Sequence, residues 1–357
     1  MTKINDLPIF DGHNDALQSI YQPKNGTPRP FFKRNDQGHI DLPRMREGGY
    51  AGGFFAVFVS SGKTDDGFPG AGLKSGQAAY ELPLPPAIDL AHAQSVTIKG
   101  MATLFQLEAQ SNGQIKVIRT ADELTDSLRN QVIAAVLHFE GAEAIDPALD
   151  ALHVFYRAGL RSLGLAWSRP NVFAQGVPFR FPHSPDTGSG LSDAGRELVK
   201  ACNHLGIMID LAHITENGFW DTAEITTAPL VVTHAGVHAI CPSTRNLTDK
   251  QLDAIGESGG VVGINFHVGF LRQDGLLEPE TPLSEIVGHI DYVAQRIGIE
   301  HVALGSDFDG AIMPAELGDA AGMPKLIRCL QDKGYDRQAL RKVTHANWVR
   351  VLKETWK

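Results

Sequence analysis

His13, Asp15, Glu140, His213 and His234 carry the donor atoms of a zinc site without thiolates, imidazole nitrogen and carboxylate oxygen. In His13-Asn14-Asp15 the two donors are two residues apart, so in extended chain they point the same way and can grip one ion. Glu140 has two oxygens and can offer one to each of two ions. Two cations ~3.5–4 Å apart can hold a hydroxide between them and polarise a carbonyl, which is hydrolytic chemistry. Each residue alone also has an ordinary reading. A His at a strand end is commonly a hydrogen-bonded rim residue, and Glu140 could pair with Arg161 or Arg169. Asp307 and Asp309 precede Gly310 and suit an Asx-turn. What favours a metal site is where the five residues fall relative to the elements that must carry them.

Eight short apolar runs read as strands: Leu7–Asp11, Gly53–Ser60, Val132–Phe139, Arg161–Ala166, Gly206–Leu211, Leu230–Thr233, Gly260–Asn265 and His301–Gly305. Continuous apolar runs of this kind suit parallel strands buried on both faces. Helical patterns lie between them. Leu283, Ile286, Val287, Ile290, Val293 and Ile297 form one apolar stripe. Ser192 or Asp193 caps another helix that Gly206 ends, and Asp336 opens a last amphipathic helix. The alternation predicts an α/β fold, a (β/α)8 TIM barrel. An open doubly wound sheet is the runner-up, but no GxGxxG follows the first strand. Residues 1–357 read as a single barrel domain with loop insertions near 21–39, 61–86 and 173–190. In such a barrel, chemistry sits at the C-terminal ends of strands. His13 and Asp15 follow strand one, Glu140 strand three, His213 strand five and His234 strand six, all on that one face.

Composition narrows the function. A formal charge of −9 repels phosphate backbones and argues against nucleic-acid binding. No apolar run approaches the ~18–20 residues that span a bilayer, and Met1–Asp6 has no signal-type apolar core. Cys202, Cys241 and Cys329 are far apart and form no CxxC pair, which fits a reducing compartment. His39, His92, His153, His183, His204, His289, His301 and His345 read as structural or solvated, and His138 as a core or helix-facing residue. His238 and His267 are rim candidates, and the Phe residues of Phe54–Phe58 read as core.

Asp11-Gly12-His13-Asn14-Asp15, Glu140-Gly141, Gly206–His213, Thr233-His234, Ser243-Thr244-Arg245-Asn246 and Gly305–Gly310 together resemble the membrane (renal) dipeptidase family, the M19-type metallopeptidases. The resemblance runs from about residue 8 to 352. It implies an amidohydrolase-like barrel with two Zn2+ per chain. His13 and Asp15 would hold one ion, His213 and His234 the other, and Glu140 would bridge them. It implies that Arg245 and Asp307 contact a dipeptide, with Asp307 and Glu140 the catalytic carboxylates. Arg245 suits a free carboxylate through its bidentate fork, and Asp307 suits the free amine or a proton transfer. The implied activity is hydrolysis of dipeptides, L-Xaa-D-Xaa among them, and the family's frequent dimerisation allows a homodimer.

Two positions depart from the animal members. Those place a His at the end of strand four, where it helps to hold the tetrahedral oxyanion; here Trp167 stands there and joins the substrate-binding set. They are also disulfide-bonded and lipid-anchored, whereas Cys241 has no evident partner here, so a cytoplasmic, bacterial-type enzyme is expected. The rival enzyme is a one-metal amidohydrolase or deaminase, and Glu140 discriminates, because a bridging carboxylate is needed only for two ions. A catalytically silent barrel acting as a binding protein would show missing ligands, and none is missing.

Overall fold

The computed structural model describes residues 7–23, 26–60 and 79–357. All eight expected strands form: β1 Ile9–Asn14, β2 Tyr50–Phe58, β3 Ile133–Glu140, β4 Leu160–Gly164, β5 Met208–Asp210, β6 Val231–Ala235, β7 Val261–Ile264 and β8 Val302–Leu304. They pair in that order, every pair parallel. Every residue of β1, β2 and β3 is buried, as runs covered on both faces must be.

The join between β1 and β8 is made differently from the others. Instead of a continuous ladder there is one parallel bridge, Asn14 to Phe308. Asp11 reinforces it, accepting from Ser306 N at 2.7 Å and from Ser306 Oγ at 2.5 Å. The sheet is thus an eight-stranded parallel barrel, nearly closed, with helices between its strands and a ninth short strand, Ile115–Val117, paired parallel with the start of β3 off that path. No helix among the described residues is long and apolar enough to cross a membrane.

Local signals act where the sequence places them. Ser192 Oγ accepts from Gly195 N, and Gly206 ends helix Asp193–Leu205 at φ 73°. Helix Leu283–Ile297 buries Leu283, Ile286, Val287, Ile290 and Val293 of the stripe read from its spacing, and Ile297 at its end is partly buried. The last helix differs from expectation. It begins as Arg337–Arg341, widens into a π turn at Lys342–Ala346 and continues as Asn347–Thr355.

That final segment closes the bottom of the barrel. Phe10, Phe54, Val136, Met208, Val231 and Val261 pack there against fully buried Trp348. The indole donates to Leu304 O at 3.1 Å. Gly12 and Gly263 make room for it, since a Cβ on either would lie 2.6 or 3.1 Å from the ring.

Of the loop expected over Ser61–Pro86, residues 61–78 lie outside the described residues, as do 24 and 25 of Tyr21–His39. The 173–190 insertion contains a strand the sequence did not announce: Arg180–Phe181 pairs antiparallel with Tyr80–Glu81.

Candidate metal centre

β1, β3, β5 and β6 deliver the five donors to one buried cluster. His13 Nε2 lies 3.4 Å from Asp15 Oδ2 and 3.7 Å from Glu140 Oε2. The other oxygen, Glu140 Oε1, stands 3.1 Å from His213 Nε2 and 3.8 Å from His234 Nε2. Glu140 therefore turns one oxygen to each half of the cluster. It meets neither Arg169, which pairs with Glu143 at 3.5 Å, nor Arg161, which donates to backbone carbonyls.

Among the described residues, two sets of donor atoms are compact enough to hold an ion: His13, Glu140 and His234, and His13, Asp15 and Asp307. The second set brings Asp307, read from sequence as a substrate contact, into ligand range.

The chemistry of the donors fits a divalent cation. His13 is wholly buried, and neither ring nitrogen has a hydrogen-bond partner among the described residues. His213 and His234 face each other through Nε2 at 3.1 Å, while their Nδ1 atoms meet Ser168 Oγ and Thr233 Oγ1, both at 2.9 Å. Thr233 gives its single proton to Asp210 Oδ2 at 2.6 Å. It must then accept from His234 Nδ1–H, which leaves a lone pair on Nε2 aimed into the cluster.

Protonation follows the same logic. Burial, the Arg245 charge and His13 hold His213 and His234 well below the ordinary imidazole range, so both rings are neutral. Burial opposes charge on His13 too, but Glu140 and Asp15 outweigh it and lift His13 to about 10. Burial raises Glu140, with Asp15 and Asp307 adding to the rise against the pull of His13. A site that places three carboxylates around one imidazolium calls for positive charge, and divalent ions supply more of it than a proton does.

Above the cluster opens a cavity of about 1130 Å³, lined by Asp15, Glu140, Trp167, His213, His267 and Asp307, among others. Arg245 is buried at its side. Its Nη2 donates to His234 O at 3.1 Å, its Nε has no hydrogen-bond partner among the described residues, and it shares a smaller pocket of about 10 Å³ with His213. Burial brings its guanidinium down to about 10, against the pull of Asp307 and Glu140. Trp167 packs against the His213 ring with centroids 5.8 Å apart.

The structure adds residues that the sequence reading passed over. His138 points into the barrel beneath the cluster, edge-on to His13 at 5.5 Å, with Nδ1 2.9 Å from Ser162 Oγ and Nε2 3.6 Å from Asp210 Oδ2. It faces inward and not toward a helix. The available signal was its position two residues before Glu140, on the same face of β3. His39, read as structural or solvated, lines the cavity and accepts from Asp309 N through Nδ1 at 3.1 Å. Asp309 also pairs with buried Arg29, which binds Gln37 O and Ile40 O, so the loop after β1 is pinned to the end of β8. His267, a rim candidate, lines the cavity as well.

Comparison with known proteins points the same way. Residues 3–357 match the model of membrane dipeptidase, peptidase family M19. A Rhodobacter sphaeroides metallopeptidase, crystallised with a phosphinate mimic of the dipeptide L-Ala-D-Ala, is 46% identical and superposes with a TM-score of 0.91 over 98% of this chain and 99% of its own. A dipeptidase of family M19 is 47% identical with a TM-score of 0.90, again over 98% and 99% of the two chains. A Klebsiella pneumoniae protein from the pqqA 5′ region is 50% identical over 256 residues, covering 72% of this chain and 94% of its own.

Proposed function

Because the chain belongs to the membrane dipeptidase family, peptidase family M19, and is thus a metallo-dipeptidase, we propose that it hydrolyses dipeptides, L-Xaa-D-Xaa among them, at a two-zinc centre. The observation that carries the two-ion reading is the split of Glu140, one oxygen toward His13 and the other toward His213 and His234. His13, Asp15 and Glu140 would hold one ion, and Glu140, His213 and His234 the other. Bound there, the ions would polarise the scissile carbonyl and make water a nucleophile at neutral pH.

The protein's own groups supply the rest. Arg245, buried beside the cavity with an unpartnered Nε, receives the substrate's free carboxylate. Asp307 is held by Asn265 through Oδ2, and we assign Oδ1 to bind the free amine or to pass the proton that the leaving nitrogen takes. Trp167 replaces a cationic oxyanion partner with a neutral ring, so stabilisation of charge at the carbonyl oxygen rests on the metal centre. The D-residue at the C-terminal position is supported by the mimic bound to the Rhodobacter sphaeroides relative. The free state of Cys202, Cys241 and Cys329 supports action in the cytoplasm.

The test is metal quantification per chain coupled to a dipeptide library. Two zinc ions with metal-dependent release of amino acids from L,D-dipeptides is the expected result. One ion per chain, unchanged in Glu140→Ala, would favour a mononuclear amidohydrolase.

A further inference from the structure

Four aromatic rings wall one side of the cavity. Phe58 meets Trp167 edge-on at 4.9 Å, Trp167 meets Phe179 at 5.6 Å, and Phe179 lies nearly parallel to Phe270 at 6.4 Å. All four line the cavity and are almost wholly buried. The wall touches the chemistry at both ends. Trp167 and Phe179 pack on His213 at 5.8 and 6.2 Å, and the Arg245 guanidinium lies 5.5 Å from the centre of the Phe270 ring. It is stiffened by Arg169, whose guanidinium covers Trp167 and Phe58 at 4.7 and 5.0 Å while pairing with Glu143. Away from the wall the lining is mixed: Gln18, Ser19, Gln22, Gln37 and His39 give it a polar side, next to Pro23, Pro28, Pro30, Ala311 and Ile312.

We propose that this wall is the subsite for the side chain of the dipeptide's C-terminal residue, and that it selects leucine- or phenylalanine-sized apolar groups. The inference rests on the dipeptidase reading above and on Arg245 taking the carboxylate. The C-terminal side chain grows from the carbon that bears that carboxylate. With the carboxylate at Arg245, Phe270 is the ring that its side chain meets first, followed by Phe179. A large apolar group there exchanges water for aromatic surface. A charged one would be desolvated against rings that give a cation at most a cation–π contact, while Arg169 is engaged by Glu143 and Arg245 by the substrate carboxylate. The amino-terminal residue, held near Asp15 and Asp307, faces the polar side, so the two positions of the dipeptide differ in what they accept.

The test compares L-Ala-D-Ala, L-Ala-D-Leu, L-Ala-D-Phe, L-Ala-D-Asp and L-Ala-D-Lys on the zinc-loaded protein. The D-Leu or D-Phe substrate should exceed D-Ala in kcat/KM by roughly tenfold and the charged residues by roughly a hundredfold. Phe179→Ala should lower kcat/KM for L-Ala-D-Phe about tenfold more than for L-Ala-D-Ala. Phe270→Leu, which keeps bulk but removes the ring, should change the ranking in the same direction and serves if Phe179→Ala does not fold. Equal or better turnover of D-Asp or D-Lys, or an equal loss on both substrates in the variants, overturns the subsite. Hydrolysis of none of the five, nor of their L,L counterparts, would strike the dipeptidase reading itself, a different result from flat selectivity among cleaved substrates.

Discussion

Asn265 Nδ2 donates to Asp307 Oδ2 at 2.9 Å, joining the ends of β7 and β8 beside the candidate metal centre. The direction of that bond is fixed from the other side, because Asn265 Oδ1 accepts from His267 N at 2.7 Å. The amide cannot flip without losing both contacts. Asp307 itself sits at φ 61°, a left-handed conformation that a non-glycine residue holds only when its surroundings enforce it. Burial raises its carboxyl, while His13 and the Asn265 bond favour the ionised form. With Oδ2 taken by Asn265, Oδ1 is the oxygen that the proposed function assigns to substrate.

Removing that constraint should affect turnover more than folding. Asn265→Ala is expected to lower kcat roughly 10–100-fold with two metal ions retained, the range typical for a lost supporting hydrogen bond. Asp307→Asn should cost roughly 10²–10⁴-fold in kcat, as expected for a group that transfers a proton. Steady-state kinetics beside elemental analysis separates the two effects. Loss of metal in Asn265→Ala would make Asn265 a support of the ion and not of Asp307.

Glu140→Ala should strip the centre of at least one ion. The expected outcome is a fall from two zinc ions per chain to one or none, loss of dipeptide hydrolysis and an unchanged far-ultraviolet circular dichroism spectrum. Chelation of the native protein should abolish activity reversibly and lower Tm, since ligand at a hundred times its Kd stabilises a folded state by about 2.7 kcal/mol. A Glu140→Ala protein that keeps two ions would remove the bridging role.

Much of this was legible in the linear chain, and what was not has a physical cause. The eight strands announce themselves because a parallel barrel buries both faces, so most of them carry a short apolar run such as Val132–Leu137. His13, Asp15, Glu140, His213 and His234 stood out because a barrel collects its strand ends on one face, whatever their separation in sequence. Asn265 and Asp210 did not, since their roles come from hydrogen bonds across strands that no local spacing specifies, whereas the place of His138 two residues before Glu140 was a signal left unused. The Arg29–Asp309 pair joins residues 280 positions apart, and ordinary loop composition gives no sign of it. The Tyr80–Glu81 and Arg180–Phe181 ribbon is two residues deep, too short to leave a period.

The bottom of the barrel should be where stability is most sensitive. Trp348→Ala empties the volume against Phe54 and the Gly12 and Gly263 backbones, and should cost about 3–5 kcal/mol. Gly263→Ala attacks the same seam from the other side, because its Cβ would stand 1.9 Å from Thr233 O, in the strand that carries His234. Urea unfolding of the metal-free proteins measures both. A loss under about 1 kcal/mol for Trp348→Ala would mean that the barrel collapses around the gap.

Acid should weaken the fold through buried histidines outside the candidate metal cluster. His289 is buried with Nδ1 accepting from Val237 N at 2.9 Å and Nε2 donating to Leu271 O at 2.9 Å. That pattern requires the neutral ring, and burial pulls its pKa from 6.5 down to about 4, only partly offset by the Leu271 carbonyl. Burial likewise brings His345 down to about 4, with Arg341 adding to the fall. For a base whose folded pKa is depressed, the unfolded chain binds the proton first. Stability is therefore fully present above pH 6.5 and is lost as pH falls from there through about 4. A shift of that size corresponds to about 3 kcal/mol at the limit for one wholly buried ring. His289→Gln keeps a donor and an acceptor but cannot titrate, so its unfolding free energy should fall less steeply between pH 6.5 and 4 than that of the native protein. Denaturant unfolding of the metal-free forms across that window checks it, because without metal the proton competition at His13 and its neighbours is common to both proteins. Parallel pH profiles would show that His289 already carries its proton in the folded state.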